Sequence, residues 1–109
     1  MKIYSYSEIR ELAYQINNKE IIETKEILMR QNKDGFSVAH RLVWDSGYTS
    51  WSTNDKKILM IKDKDGYSVA HGLAHHHSTW ITDDPEILSL YAPGWKETVE
   101  DTLIQRGKL

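Results

Sequence analysis

The segment Asp34-Gly35-Phe36-Ser37-Val38-Ala39-His40-Arg41-Leu42 returns as Asp65-Gly66-Tyr67-Ser68-Val69-Ala70-His71-Gly72-Leu73, Gly66 following Gly35 by 31 residues. A second segment, Trp51-Ser52-Thr53-Asn54-Asp55-Lys56-Lys57-Ile58-Leu59, returns after 29 residues as Trp80-Ile81-Thr82-Asp83-Asp84-Pro85-Glu86-Ile87-Leu88. Such a period constrains the fold more than composition does, because one short unit cannot bury its apolar face alone and must stack on its neighbours. Traces extend the array at both ends. Lys25-Glu26-Ile27-Leu28-Met29 precedes Asp34-Gly35 as Lys57-Ile58-Leu59-Met60 precedes Asp65-Gly66, and Thr98-Val99-Glu100-Asp101-Thr102-Leu103 echoes Ser68 to Leu73 with Asp101 in the histidine position. The chain therefore divides into a degenerate N-terminal repeat (1–31), two full repeats (32–62 and 63–91) and a C-terminal capping helix (92–109).

Each unit carries the signals of a helix pair. Ser37 and Ser68 follow a glycine turn and precede an apolar stretch, so each hydroxyl is placed to accept from a free N–H of the first helical turn. Thr24, Asp55 and Asp84 occupy the matching start of a second helix, and Pro85 sits where a missing N–H costs nothing. Ser5 to Glu8 forms a capping-box pattern ahead of Ile9, Leu12, Ala13 and Ile16, predicting a first helix of about three turns. The expected fold class is all-α.

Composition narrows the function classes. With 109 residues the chain fits one row of small cores, and a formal net charge of -2 gives no bulk positive field to draw it onto nucleic acid or anionic lipid. Absence of cysteine removes disulfides and cysteine-based zinc sites. The stretch from Lys2 to Glu8 lacks the apolar core of a leader peptide, and no run is long enough to span a bilayer. The chain reads as cytoplasmic, without cofactor or membrane partner. Ten lysines against four arginines, with 11 isoleucines, fit an AT-rich coding sequence of the kind found in many phages and some bacteria.

The recurring pattern of Gly, one residue, Ser, two small apolar residues, His, one residue and Leu resembles the ankyrin repeat, whose first helix opens with Gly-x-Thr-Pro-Leu-His-x-Ala-Ala. Val38-Ala39 and Val69-Ala70 stand where that family has Pro-Leu, the period is short, and a tryptophan occupies the segment between helices. The resemblance implies antiparallel helix pairs in a short, slightly curved solenoid with the Asp-Gly turns projecting to one side. It also implies that His40 and His71 are structural donors to the turn backbone rather than catalytic bases, and that the chain binds another folded protein, as a non-catalytic adaptor or inhibitor.

Partner-facing positions follow from that resemblance and from the differences between units. Lys33, Asp34, Lys64 and Asp65 mark the turn tips and are expected to be solvent-exposed. Phe36 and Tyr67 follow the turn glycines, with Trp95 loosely equivalent after Gly94. Trp44, beside Asp45, has His75 as its counterpart, and Arg41 has Gly72, so the architecture does not demand either residue. His76 joins His75 in this group, whereas Trp51 and Trp80 recur and are expected to pack on the helices of their own units. Two other readings stand beside this one. His71, His75 and His76 suggest a metal-binding protein or metal-dependent enzyme, since i, i+4 histidines share a helix face. However, the zincin pattern is missing its glutamate, with Gly72 in that place. A short solenoid is also able to self-associate end to end.

Overall fold

Each long helix begins at a capping hydroxyl. In the computed structural model, which describes residues 2–45, 48 and 50–109, Ser5, Ser37, Ser68 and Thr98 cap α1 (Tyr6–Asn17), α3 (Val38–Trp44), α5 (Val69–His76) and α7 (Val99–Gln105). Between them lie the single-turn helices α2 (Lys25–Leu28), α4 (Lys56–Leu59) and α6 (Pro85–Leu88), capped by Thr24, Asp55 and Asp84. A single turn is unstable alone, and these three are held because Leu28, Ile58, Leu59 and Ile87 bury in the common core. The chain is mostly helical, as expected, and the helix pairs fall inside the intervals read from the repeat. Met1, Ser46, Gly47 and Thr49, which the first two intervals include, lie outside the described residues.

The long helices pack in series, α1 on α3, α3 on α5 and α5 on α7. Small residues make this possible: Ala13, Ala39, Ala70 and Ala74 are fully buried between neighbours, flanked by Ile9, Leu42, Leu73 and Leu103. At the C-terminal end the alanine position becomes Glu100, which is exposed. No helix among the described residues is long and apolar enough to cross a membrane.

The connections depart from the all-α expectation. Each turn closes as a narrow antiparallel bridge, Gln31 with Ser37 and Lys62 with Ser68, and the third extends into a two-stranded ladder of β1 (Tyr91–Ala92) and β2 (Glu97–Thr98). Side chains explain the difference. Asn32 Oδ1 accepts from the N–H groups of Asp34 and Phe36, and Asp63 Oδ1 from those of Asp65 and Tyr67, at 2.9–3.1 Å. The third turn has Ala92 at that position and no side-chain acceptor, so the backbone pairs with itself. Successive turns also touch, since the Lys64 N–H donates to the Asp34 carbonyl at 2.8 Å.

The two internal histidines join the turns to the helices. Nδ1 of His40 receives the Ser37 N–H at 3.2 Å and lies 2.8 Å from Ser37 Oγ. An amide can only donate, so Nδ1 is the acceptor, the ring proton is on Nε2, and Nε2–H donates to the Tyr67 carbonyl of the next turn at 2.8 Å. His71 repeats the inner contact, 2.7 Å from Ser68 Oγ. Its Nε2 completes no well-formed bond, although the carbonyls of Glu97 and Leu90 are near enough to favour its protonation. Glu8 and Asp101 fill the same position in the end helices, closing the capping box as carboxylates.

The recurring tryptophans pack on the common core, and their indole nitrogens add a contact to the preceding unit. Trp51 Nε1–H donates to Glu23 Oε1 at 2.9 Å and Trp80 Nε1–H to the Thr53 carbonyl at 3.1 Å, so each reaches back into the preceding unit. Trp80 is buried and Trp51 half-buried.

Two predictions follow from packing and burial. A Cβ on Gly72 would stand 2.4 Å from Val43 Cγ2 and 3.0 Å from Trp44 Nε1. Alanine improves helix propensity by about 1 kcal/mol, but overpacking costs about 1–3 kcal/mol. Gly72→Ala should therefore lower stability in urea denaturation, and Val43→Ala in the same chain should recover part of the loss. The second prediction concerns pH. Burial holds His40 and His71 below the ordinary imidazole value of 6.5, against the pull of the Tyr67 carbonyl and Asp63 on His40 and of the Glu97 carbonyl on His71. The unfolded chain therefore takes up these protons first, so stability is intact above about pH 6.5 and falls as pH is lowered, by up to about 1.4 kcal/mol per pH unit for each group. Urea midpoints from pH 8 to 5 should show this slope, flattened in His71→Asn. A midpoint that rises towards acid would contradict it.

Candidate binding groove

Four half-buried aromatic side chains gather on one edge of the stack. Trp44, from the last position of α3, folds over α5, where Gly72 leaves room for its indole. Its ring centroid lies 5.9 Å from Tyr67, 5.2 Å from His76 and 5.3 Å from Trp95. Trp95 also meets Tyr67 and His75 at 5.2 Å each. These separations and tilts are those of favourable edge-to-face and offset pairs. The turn glycines admit the arrangement: a Cβ on Gly94 would collide with the Tyr67 hydroxyl at 1.9 Å, and one on Gly66 would meet Pro93 Cδ at 2.8 Å.

Phe36, Trp44, Tyr67 and Trp95 line an open groove of about 340 Å³, with Asp63 and Asp65 on its rim. All four rings are half-buried, fixed by neighbours and still reachable from solvent. Trp44 Nε1–H is enclosed without a hydrogen-bond acceptor. Partial burial lowers the pKa of His75 and His76 from the usual imidazole value, with Arg106 and Lys108 adding to the effect at His75, and His75 and Arg106 at His76. Both rings are therefore neutral at pH 7, and the groove's charge comes from its carboxylates.

Several of the sequence-derived positions converge here and others do not. Phe36, Trp44, Asp65 and Tyr67 line the groove, and His75 and His76 buttress its rings. Asp34 is not the freely exposed turn tip expected from the sequence. It is half-buried, accepts from the Tyr6 hydroxyl, and pairs with Lys64 Nζ at 3.2 Å. Lys64 is thereby committed, though exposed as expected. Arg41 pairs with Asp45 at 3.0 Å across one helical turn and lines a neighbouring depression with Asp34 and Asp63. Lys33 is exposed and lines a different depression, with Ile3 and Tyr6. Two groove residues carry weaker signals in the sequence. Asp63 was signalled only by its recurrence with Asn32, and Trp95 only by its place after the third turn glycine, yet Trp95 touches more rings than any other described groove residue.

The histidine-based alternatives have little to work with. Ser37–His40 and Ser68–His71 approach like nucleophile and base, but both pairs are fully buried and each serine oxygen already accepts a helix N–H. His77 accepts from the N–H groups of Thr79 and Trp80, making it part of a turn. Among the described residues, no three His, Cys, Asp or Glu side chains gather around one point. A larger depression of about 530 Å³ at the N-terminal end is lined by Lys2, Glu8, Glu11 and Arg30, of which Lys2 pairs with Glu8 at 3.2 Å and Arg30 with Glu26, outside the lining, at 2.9 Å. No family model, curated protein or solved structure matches the chain.

Because Trp44 supports Tyr67, Trp95 and His76, its truncation should affect the fold as well as the surface. Trp44→Ala is expected to lower unfolding free energy by about 2–4 kcal/mol, measured by urea denaturation, whereas Lys33→Ala should stay within about 0.5 kcal/mol of wild type.

Proposed function

We propose that this chain is a non-catalytic interaction module, an ankyrin-like solenoid that recognises another folded protein through its turn edge and the adjoining faces of α3 and α5. The observation that carries this reading is the division of labour between residues. Those shared by the units are consumed by the stack: the serine caps, His40, His71 and the alanine seams are buried. Those that differ, Trp44, His75, His76 and Trp95, instead converge with Phe36 and Tyr67 into one aromatic groove with a polar rim. That composition suits an interface centre, and rings already locked in place lose little conformational freedom on docking. The serial packing of capped helices and the donation from His40 to the next turn support the ankyrin-like reading. A small phage or bacterial inhibitor acting in the cytoplasm is one concrete form of the proposal.

The test is affinity capture from bacterial lysate with wild type, Trp95→Ser and Phe36→Ala, each first shown by thermal melting to fold. A partner retained by wild type and reduced about tenfold or more by both variants is the expected result, as for residues at an interface centre. An unchanged partner list removes the groove from the interface, and absence of any partner counts against the module itself.

A further inference from the structure

Lysines from adjacent units neutralise carboxylates along the stack, and this pattern has one gap. Lys64 meets Asp34, Lys25 meets Asp55 and Lys56 meets Asp84, all at 3.2 Å. Asp65 occupies the turn position of Asp34, but the next unit places Pro93 where the corresponding lysine would stand. Among the described residues, neither Asp65 nor Asp63 forms an ion pair. Both lie on the rim of the groove lined by Phe36, Trp44, Tyr67 and Trp95.

We infer that the groove accepts a basic side chain of the partner protein, arginine or lysine, its stem lying over Trp44, Tyr67 and Trp95 and its head directed to Asp63 and Asp65. This rests on the interaction reading above and adds the chemistry of the contact. Ring faces attract cations through their quadrupoles, and nearby carboxylates strengthen that attraction. The protein uses the same contact internally: Lys2 Nζ lies 4.5 Å and the Arg30 guanidinium 5.1 Å from the Tyr4 ring centre. A volume of about 340 Å³ is sufficient for a long side chain, and the two carboxylates disfavour phosphate or an acidic peptide. Pro93 stands where the next unit would place a lysine, and the neighbouring cations are already paired, Lys64 with Asp34 and Arg41 with Asp45.

The decisive experiment titrates the full ¹⁵N-labelled chain with N-acetyl-arginine methylamide, N-acetyl-lysine methylamide and the neutral isostere N-acetyl-citrulline methylamide, following the indole N–H signals of Trp44 and Trp95. The comparison variant is Asp63→Asn/Asp65→Asn. It should fold, because Asn32 already performs the turn role of Asp63 in the preceding unit. At least one cationic probe should shift both indoles saturably, with citrulline at least about fivefold weaker and the double variant about tenfold weaker towards that cation, as expected for a charge-dependent contact. Equal binding of citrulline, unchanged affinity in the variant, or no indole shift with either cation up to about 50 mM overturns the inference. A captured protein that is lost with Trp95→Ser but retained by Asp63→Asn/Asp65→Asn also overturns it, while leaving the interaction module intact.

Discussion

The imidazole of His40 is the joint on which the stack depends. One ring nitrogen accepts from Ser37, closing the start of α3, and the other donates to the Tyr67 carbonyl, fixing the turn of the following unit. Local capping and long-range register are thus set by one side chain, fully buried and held neutral by its surroundings. A carboxylate can close the same capping box, as Glu8 and Asp101 do, but an ionised carboxylate has no proton to donate onward. A turn that must be capped and also bonded across the stack therefore needs a side chain that both accepts and donates, as the neutral imidazole of His40 does.

Much of this was legible in the sequence, because capping is local chemistry. Ser37, Ser68, Thr24, Asp55 and Asp84 announce helix starts by residue type and position, and all five begin helices. The repeat located the histidines and showed that every internal unit needs one. Features that depend on a neighbouring unit were harder to read. The bridging of Trp51 to Glu23 and of Trp80 to Thr53 runs backwards along the stack, which spacing within a unit does not reveal. The two-stranded ladder arises from what Ala92 lacks, and the burial of Asp34 from a tyrosine 28 residues earlier.

The same division separates scaffold from site. Arg41 and Gly72 are equivalent in the repeat, and their difference marks a position that the stack itself leaves free to vary. The glycine's part is steric: it clears the face of α5 so that the Trp44 indole can lie across it. Trp44 is then both a wall of the groove and a packing residue. Trp95, carried on the divergent third hairpin, brings the rings of two units together.

The unpaired Nε2 of His71 has a consequence for how the molecule moves. Opening in a layered protein begins where the layers are least well bonded, and the junction between α5 and the third hairpin lacks the hydrogen bond that secures the junction before it. Lys108 partly compensates, its ammonium donating to the Ala74 and His77 carbonyls at the end of α5. The terminal layer is thus clasped at its far edge by a cation on backbone carbonyls and at its turn edge by the stacked rings around Trp95, so packing there stands where hydrogen bonding secures the layer before it.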